Sequence, residues 1–230
     1  MIDGVIFDKD GTLFDFRRSW GAWAQGLLTR LANDPAHAAR MAAAIGYDLQ
    51  TGEFAPDSPV IASTAHEIAM ALAMHLPGQT VAQVEARING AAAQAEMVQA
   101  VPLRPLLQAL RANGLRLGLA TNDTEVPARA HLAAHDLTDL FDFVAGYDSG
   151  HGAKPGPGMC LAFAHATGLD PARVAMVGDS LHDLHAGRAA GMVCVAVLTG
   201  IAPAAVLAPY ADVVLLDIGG LPAWLGHAAV

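Results

Sequence analysis

Lysine is almost absent from this chain. Lys9 and Lys154 are the only two, and with the arginines they give 13 basic residues against 22 acidic ones, a formal net charge of −9. A chain so poor in cations has little with which to release the counterions of a nucleic acid, so no nucleic-acid partner is expected. Cysteine is equally scarce. Cys160 and Cys194 stand far apart, too few for a disulfide framework or a metal knuckle, and they suit a reducing compartment. Charged residues reach only 15% while apolar ones make up 53%, which argues against disorder and against a coiled coil. From Ala189 to Ala211 charge is missing altogether, over a run long enough to span a bilayer. Gly191, Gly200, Pro203 and Pro209 interrupt it, and Val193 to Leu198 has strand character, so the expectation is buried strand, turn and short helix, with no membrane partner. The chain enters a strand-like run at once, without a basic segment or a cleavage site, and a cytoplasmic location is expected.

What is present is organised in two textures. Val5-Ile6-Phe7 is a short apolar strand that breaks into Asp8-Lys9-Asp10-Gly11-Thr12. From Ser19 to about Met97 the chain is alanine-rich and helical. Ser58-Pro59 reads as a helix start, with Ile61, Ala65, Ile68, Leu72 and Leu76 at helical spacing until Pro77-Gly78. Thr80 to Gln83 is a capping box opening another helix, and Gly46 to Pro56 reads as a loop or small hairpin. After Pro102, apolar runs at Leu115–Ala120, Phe143-Val144, Val174–Val177, Val193–Val197 and Val213–Leu216 alternate with helices. That alternation predicts a parallel sheet covered on both faces. The fold class expected is therefore α/β: a Rossmann-like three-layer core of residues 1–15 and 99–230, with an inserted all-helical domain over 16–98.

Three of the strands end in polar clusters: Asp8 and Asp10, then Thr121-Asn122-Asp123, then Gly178-Asp179-Ser180 with Asp183. In a parallel sheet these ends share one edge, where ligands bind. The carboxylates of Asp8, Asp10, Asp179 and Asp183 on one edge repel one another and call for a cation. All-oxygen donors point to Mg²⁺. Lys154, in a loop stiffened by Pro155 and Pro157, supplies an ammonium for a phosphoryl group entering an acidic site.

Asp8-Lys9-Asp10-Gly11-Thr12-Leu13, Thr121, Lys154-Pro155-x-Pro157 and Gly178-Asp179-Ser180-x-x-Asp183 resemble, in order, the four motifs of the haloacid dehalogenase superfamily. The insert falls where phosphoglycolate-phosphatase-like members carry a cap. The resemblance implies a phosphatase acting on a small phosphorylated metabolite, as a monomer or homodimer, with Mg²⁺ as cofactor. It implies Asp8 as nucleophile and Asp10 as general acid and base. Thr121, the backbone at Asn122, and Lys154 would hold the phosphoryl oxygens. Asp8, the Asp10 carbonyl and Asp179 would be metal ligands, with Asp183 supporting them. Asp10 also separates esterases from dehalogenating relatives, since a halide needs no proton whereas an alkoxide does. The motifs fit a sugar phosphomutase as well. A receiver-like signalling module fits poorly, for want of the right length, an insert and the right strand for its aspartate.

Other residues have plainer readings. His182 and His185 are expected to face solvent rather than bind zinc, and His151 to be a loop histidine. Trp20 and Trp23 are expected in the core of the insert. Lys9 is expected to point away from Asp8 and Asp10 and has no assigned role. Arg17 and Arg18 are read either as solvated charges or as ligands of a second anionic group on the substrate. The loop from Gly46 to Pro56 offers no base, and Phe16 stands where phosphoglycolate phosphatases commonly carry a small hydroxyl residue; both are departures from that pattern.

Overall fold

The computed structural model describes residues 1–55, 57–61 and 63–226. Its centre is a six-stranded parallel sheet in the order β3-β2-β1-β4-β5-β6. The strands are β1 (Gly4–Phe7), β2 (Arg116–Ala120), β3 (Phe143–Ala145), β4 (Val174–Gly178), β5 (Val193–Val197) and β6 (Val213–Leu215). Val5 and Phe7 pack on one face, against α5 (Leu103–Ala112) and α6 (Glu125–Ala134). Ile6 packs on the other, against α7 (Gly158–Thr167) and α8 (Leu181–Ala189). This period-two partition explains why the strands are apolar at nearly every position: each face has its own helices to meet. Gly118 in β2 leaves the room that the Phe163 ring of α7 occupies. The chain leaves β1 for β2 and β3 on one side, then returns to β4 on the other. The switch point therefore lies at the carboxyl ends of β1 and β4, where Asp8 and Asp179 stand.

The uncharged run after Ala189 resolves into β5, a turn, α9 (Ala204–Leu207) and a 3₁₀ turn at Ala208–Tyr210. No helix among the described residues is long and apolar enough to cross a membrane. A last short helix, α10 (Leu221–Trp224), closes the described chain.

Between β1 and α5 lies the helical insert: α1 (Phe16–Leu31), α2 (Pro35–Ala44), α3 (Ala65–Ala73) and α4 (Val81–Ala92). Each helix starts at a side chain that accepts an orphan backbone N–H. Asp15 takes Arg18 N, Asp34 takes His37 N, and Thr80 with Gln83 forms the expected box. The helix expected to begin at Ser58-Pro59 does not run through. Pro59–Ile61 makes only a 3₁₀ turn, and α3 starts anew at Ala65. The cause is local: Thr64 and Glu67 form a reciprocal capping box that satisfies the first amides of α3 and holds Thr64 extended. Tyr47 and Phe54 pair as a minimal hairpin in the preceding loop; its closing Pro56 lies outside the described residues.

Where the chain enters and leaves the insert, the two connections pair with each other. Asp15 N donates to Val98 O at 2.8 Å, and Ala100 N donates to Leu13 O at 2.9 Å.

Candidate active site

The loop after β1 turns tightly. Leu13 N and Phe14 N both donate to Lys9 O at 3.0 Å, and Gly11 adopts φ +81°, a value that glycine reaches without strain. Gly11 and Gly200 flank the carboxylate of Asp179, and a Cβ on either would collide with it. All seven residues expected at the site line one cavity under the insert: Asp8, Asp10, Thr121, Asn122, Lys154, Asp179 and Asp183.

Lys154 is the hub. Its ammonium is buried and donates to Asp8 Oδ1 at 2.5 Å, to Asp183 Oδ1 at 2.6 Å and to Ala120 O at 2.8 Å. All three of its protons are therefore engaged. Burial would discharge this lysine, but Asp183 and Asp8 outweigh that effect and hold its pKa above the ordinary lysine range. Asn122 fixes the lysine's backbone from both sides, with Nδ2 donating to Lys154 O at 2.9 Å and Oδ1 accepting from Lys154 N at 2.8 Å. Thr121 Oγ1 accepts from Asp123 N at 3.0 Å, which leaves its hydroxyl proton free to donate.

Asp183 serves two structures at once. Its Oδ2 accepts from Ser180 N and Oγ at 3.0 and 2.7 Å, capping α8, while Oδ1 meets Lys154. Asp8, Asp179 and Asp183 bring one carboxylate oxygen each to within 4.8 Å of one another. The carboxyl of Asp8 is pushed up to about 7, by burial first and by Asp183 and Asp10 besides, against the pull of Lys154. That of Asp179 is raised well above the carboxylate range, by burial and then by Asp183 and Asp8. Asp179 Oδ2 is buried without a hydrogen-bond partner among the described residues. An orphaned oxygen in a cluster of crowded hard donors is what a divalent cation such as Mg²⁺ would satisfy, so the residues fit that ion.

Lys9 does not point away from its neighbours. It is fully buried, and its ammonium lies 3.0 Å from Asp10 Oδ2, 3.1 Å from Asp123 Oδ2 and 3.1 Å from His131 Nδ1. The expectation extended strand alternation through residues 8–10. The strand ends at Phe7, and the turn that follows folds Lys9 beneath Asp10. Burial works against its charge, yet Asp10 and Asp123 keep its pKa above the ordinary value.

Trp20 and Trp23 are buried edge to face, with ring centroids 4.8 Å apart, as expected for the insert core. Trp20 does more: its Nε1 donates to Asp10 Oδ1 at 2.8 Å, and its ring lies 5.1 Å from the Lys9 ammonium. His131 Nε2 bonds the carbonyl of Ala92 at 2.7 Å. The insert thus reaches the Lys9–Asp10 pair through both α1 and α4. Sequence reading missed Lys9, His131 and the polar role of Trp20. The scarcity of lysine was the available signal, since one of only two lysines sits between two motif aspartates.

Of the remaining candidates, all but His182 lie apart. Arg17 pairs with Glu53 at 2.5 Å, and Arg18 lines a separate groove between α1 and α4. The His185 ring meets that of Tyr210 edge to face, and the His151 ring lies 6.0 Å from that of Phe143. His182 was expected to face solvent, but the first turn of α8 leaves it half-buried at the cavity, the one histidine lining it among the described residues.

A parallel sheet with its switch point at β1 and β4, roofed by a helical insert, places the chain among the capped Rossmann-like α/β proteins. It belongs to the haloacid dehalogenase-like hydrolase family, whose model matches residues 2–191. The chain is similar to a phosphoglycolate phosphatase of Rhodospirillum rubrum, 38% identical over 121 residues, which are 53% of this chain and 50% of that protein. It spans about half the length of that relative. Two solved structures share the fold. A predicted phosphoglycolate phosphatase from Haemophilus somnus superposes with a TM-score of 0.75 at 18% identity, over 97% of this chain and 98% of that one. A candidate β-phosphoglucomutase from Thermotoga maritima superposes with a TM-score of 0.68 at 18% identity, over 98% and 99%.

Proposed function

We propose that this chain is a Mg²⁺-dependent phosphatase that hydrolyses small phosphate monoesters through an aspartyl-phosphate on Asp8. The observation that carries the reading is the Asp8–Lys154–Asp183 arrangement beside the orphaned Asp179 oxygen. A carboxylate nucleophile, a fixed cation and a buried hard oxygen without a hydrogen-bond partner among the described residues meet at the switch point of the sheet. Family membership and the similarity to the phosphoglycolate phosphatase support it.

In this mechanism a carboxylate oxygen of Asp8 attacks phosphorus, and the bond from phosphorus to the ester oxygen breaks. Asp10 gives its proton to the departing alkoxide. Asp10 then takes a proton from the water that attacks the aspartyl-phosphate, and inorganic phosphate leaves as Asp8 is restored. Lys154, the Thr121 hydroxyl and the main chain at Asn122 hold the phosphoryl oxygens. Such positioning and charge neutralisation carry most of a phosphoryl transfer. Asp8, Asp179 and the Asp10 carbonyl would hold Mg²⁺, with Asp183 fixing Lys154 beside them. When bound, the ion supplies positive charge that keeps Asp8 ionised and offsets the negative charge of the phosphoryl group.

Residues 16–98 act as the cap and residues 1–15 with 99–230 as the catalytic core, in a cytoplasmic monomer or homodimer. Water is favoured over a sugar phosphate as the acceptor. Besides Lys154, His182 is the one basic side chain lining the cavity among the described residues, and a mutase must hold a second phosphate. The test is phosphate release from a panel of monoesters with Mg²⁺ and with chelator. Metal-dependent release that needs no bisphosphate activator supports the hydrolase, and release only with an activator supports the mutase.

A further inference from the structure

We infer that the alcohol half of the substrate is uncharged and largely apolar, an inference that rests on the phosphatase reading. The floor of the cavity is committed to the phosphoryl group. Its carboxylates are Asp8, Asp10, Asp123, Asp179 and Asp183, and the Lys154 ammonium is anchored there by Asp8, Asp183 and the Ala120 carbonyl, beside the phosphoryl group and away from the roof. The roof, where the leaving group lies, is of another character. Phe16, Trp20 and Trp23 come from α1, Ile61 from the 3₁₀ turn, Ile68 from α3 and Ile88 from α4.

No arginine lines this roof among the described residues. Arg17, the nearest candidate in sequence, is exposed and paired with Glu53, and Arg18 faces the other groove. The Trp23 indole N–H is buried without an acceptor among the described residues. It can meet a neutral oxygen but carries no charge to offset an anion. A carboxylate or second phosphate on the leaving group would be stripped of water between isoleucines and above five acids, with no arginine or lysine in the roof to repay the loss. A neutral apolar alcohol gains from the same surface.

The experiment compares two unactivated esters with Mg²⁺, benzyl phosphate and 2-phosphoglycolate, with p-nitrophenyl phosphate as the activity reference. Benzyl phosphate should exceed 2-phosphoglycolate in kcat/KM by about tenfold or more. Ile68→Arg, which sets a cation in the roof, should narrow or reverse that ratio. Ile61→Arg, at a half-buried position, repeats the test if the first variant does not fold. A wild-type enzyme that prefers 2-phosphoglycolate overturns the inference while the phosphatase reading stands. So does a ratio that neither arginine changes, because selectivity then arises elsewhere. Hydrolysis of none of the three esters overturns the phosphatase reading and this inference with it.

Discussion

The indole N–H of Trp20 donates to Asp10 Oδ1 at 2.8 Å, so a helix of the insert holds the carboxylate proposed as general acid and base. Lys9 holds the other oxygen of the same group at 3.0 Å. Asp10 is thereby fixed from above by the insert and from below by the core. Its orientation depends on the two packing together.

Trp20→Phe removes the donor and keeps an aromatic ring in the roof. Proton delivery should suffer while the attack by Asp8 does not. Turnover of alkyl phosphates is expected to fall about tenfold further than turnover of p-nitrophenyl phosphate, whose leaving group needs little protonation. Equal losses on both substrates would mean that the variant disturbs the cavity in general and that Trp20 does not position Asp10.

Lys9→Met tests the buried ion cluster beneath the site. Removing the ammonium leaves Asp10 and Asp123 facing each other with burial uncompensated. Breaking a buried pair this way typically costs about 3–5 kcal/mol, and urea unfolding at neutral pH should show a loss of that order. A loss below about 1 kcal/mol would give the cluster the weight of a surface ion pair.

The parallel sheet, the position of the insert and the seven cavity residues were legible because each leaves a strong local signature. Strands such as Val174–Val177 are continuous apolar runs, and the chemistry follows directly at their ends. The site of Lys9 was not legible, because it depends on where β1 stops. Had strand alternation run on through Asp10, Lys9 would have pointed away from both aspartates. The restart of α3 at Ala65 was hidden for a related reason. Ile61 and Ile68 keep helical spacing across the break, and only the Thr64–Glu67 reciprocity marks it. His131 carried no sequence signal at all. Its partners Lys9 and Ala92 lie far away in sequence, and the fold alone assembles them.

Asp8→Asn should abolish turnover without loss of stability. Burial and the neighbouring acids raise the Asp8 carboxyl to about 7, above its unfolded value, so the ionised form is disfavoured in the metal-free folded state. At pH 8 the neutral amide removes that burden, and thermal unfolding should occur at or above the wild-type temperature. Mg²⁺ relieves the same repulsion in the wild type and should raise its Tm at pH 8. The rise should shrink as pH falls through about 7, where protons compete with the ion for Asp8. Asp179→Asn should lose the Mg²⁺ response. A wild-type Tm indifferent to Mg²⁺ at pH 8, or an unaltered response in Asp179→Asn, would count against the assigned ligands.

His131 sets an acid limit on the joint between insert and core. A carbonyl can only accept and an ammonium can only donate, so Nε2 carries the proton toward Ala92 O while Nδ1 accepts from Lys9. A second proton would stand against the Lys9 ammonium in a buried position. Burial first, and Lys9 after it, depress the pKa of His131 to about 4, below the ordinary value near 6.5. The unfolded chain then binds this proton before the folded one does. The histidine's contribution to stability is complete above about pH 6.5 and is lost as pH falls toward about 4. His131→Gln keeps a donor and an acceptor but does not titrate. Between about pH 7 and pH 4.5 the wild type should lose on the order of 2–3 kcal/mol more unfolding free energy than the variant. The raised carboxyls of Asp8, Asp123 and Asp179 act with the opposite sign, but they are common to both proteins and cancel in the difference. Parallel pH profiles for the two would show that the joint accepts a protonated His131, and that the Lys9–His131–Ala92 bridge does not hold the insert to the core.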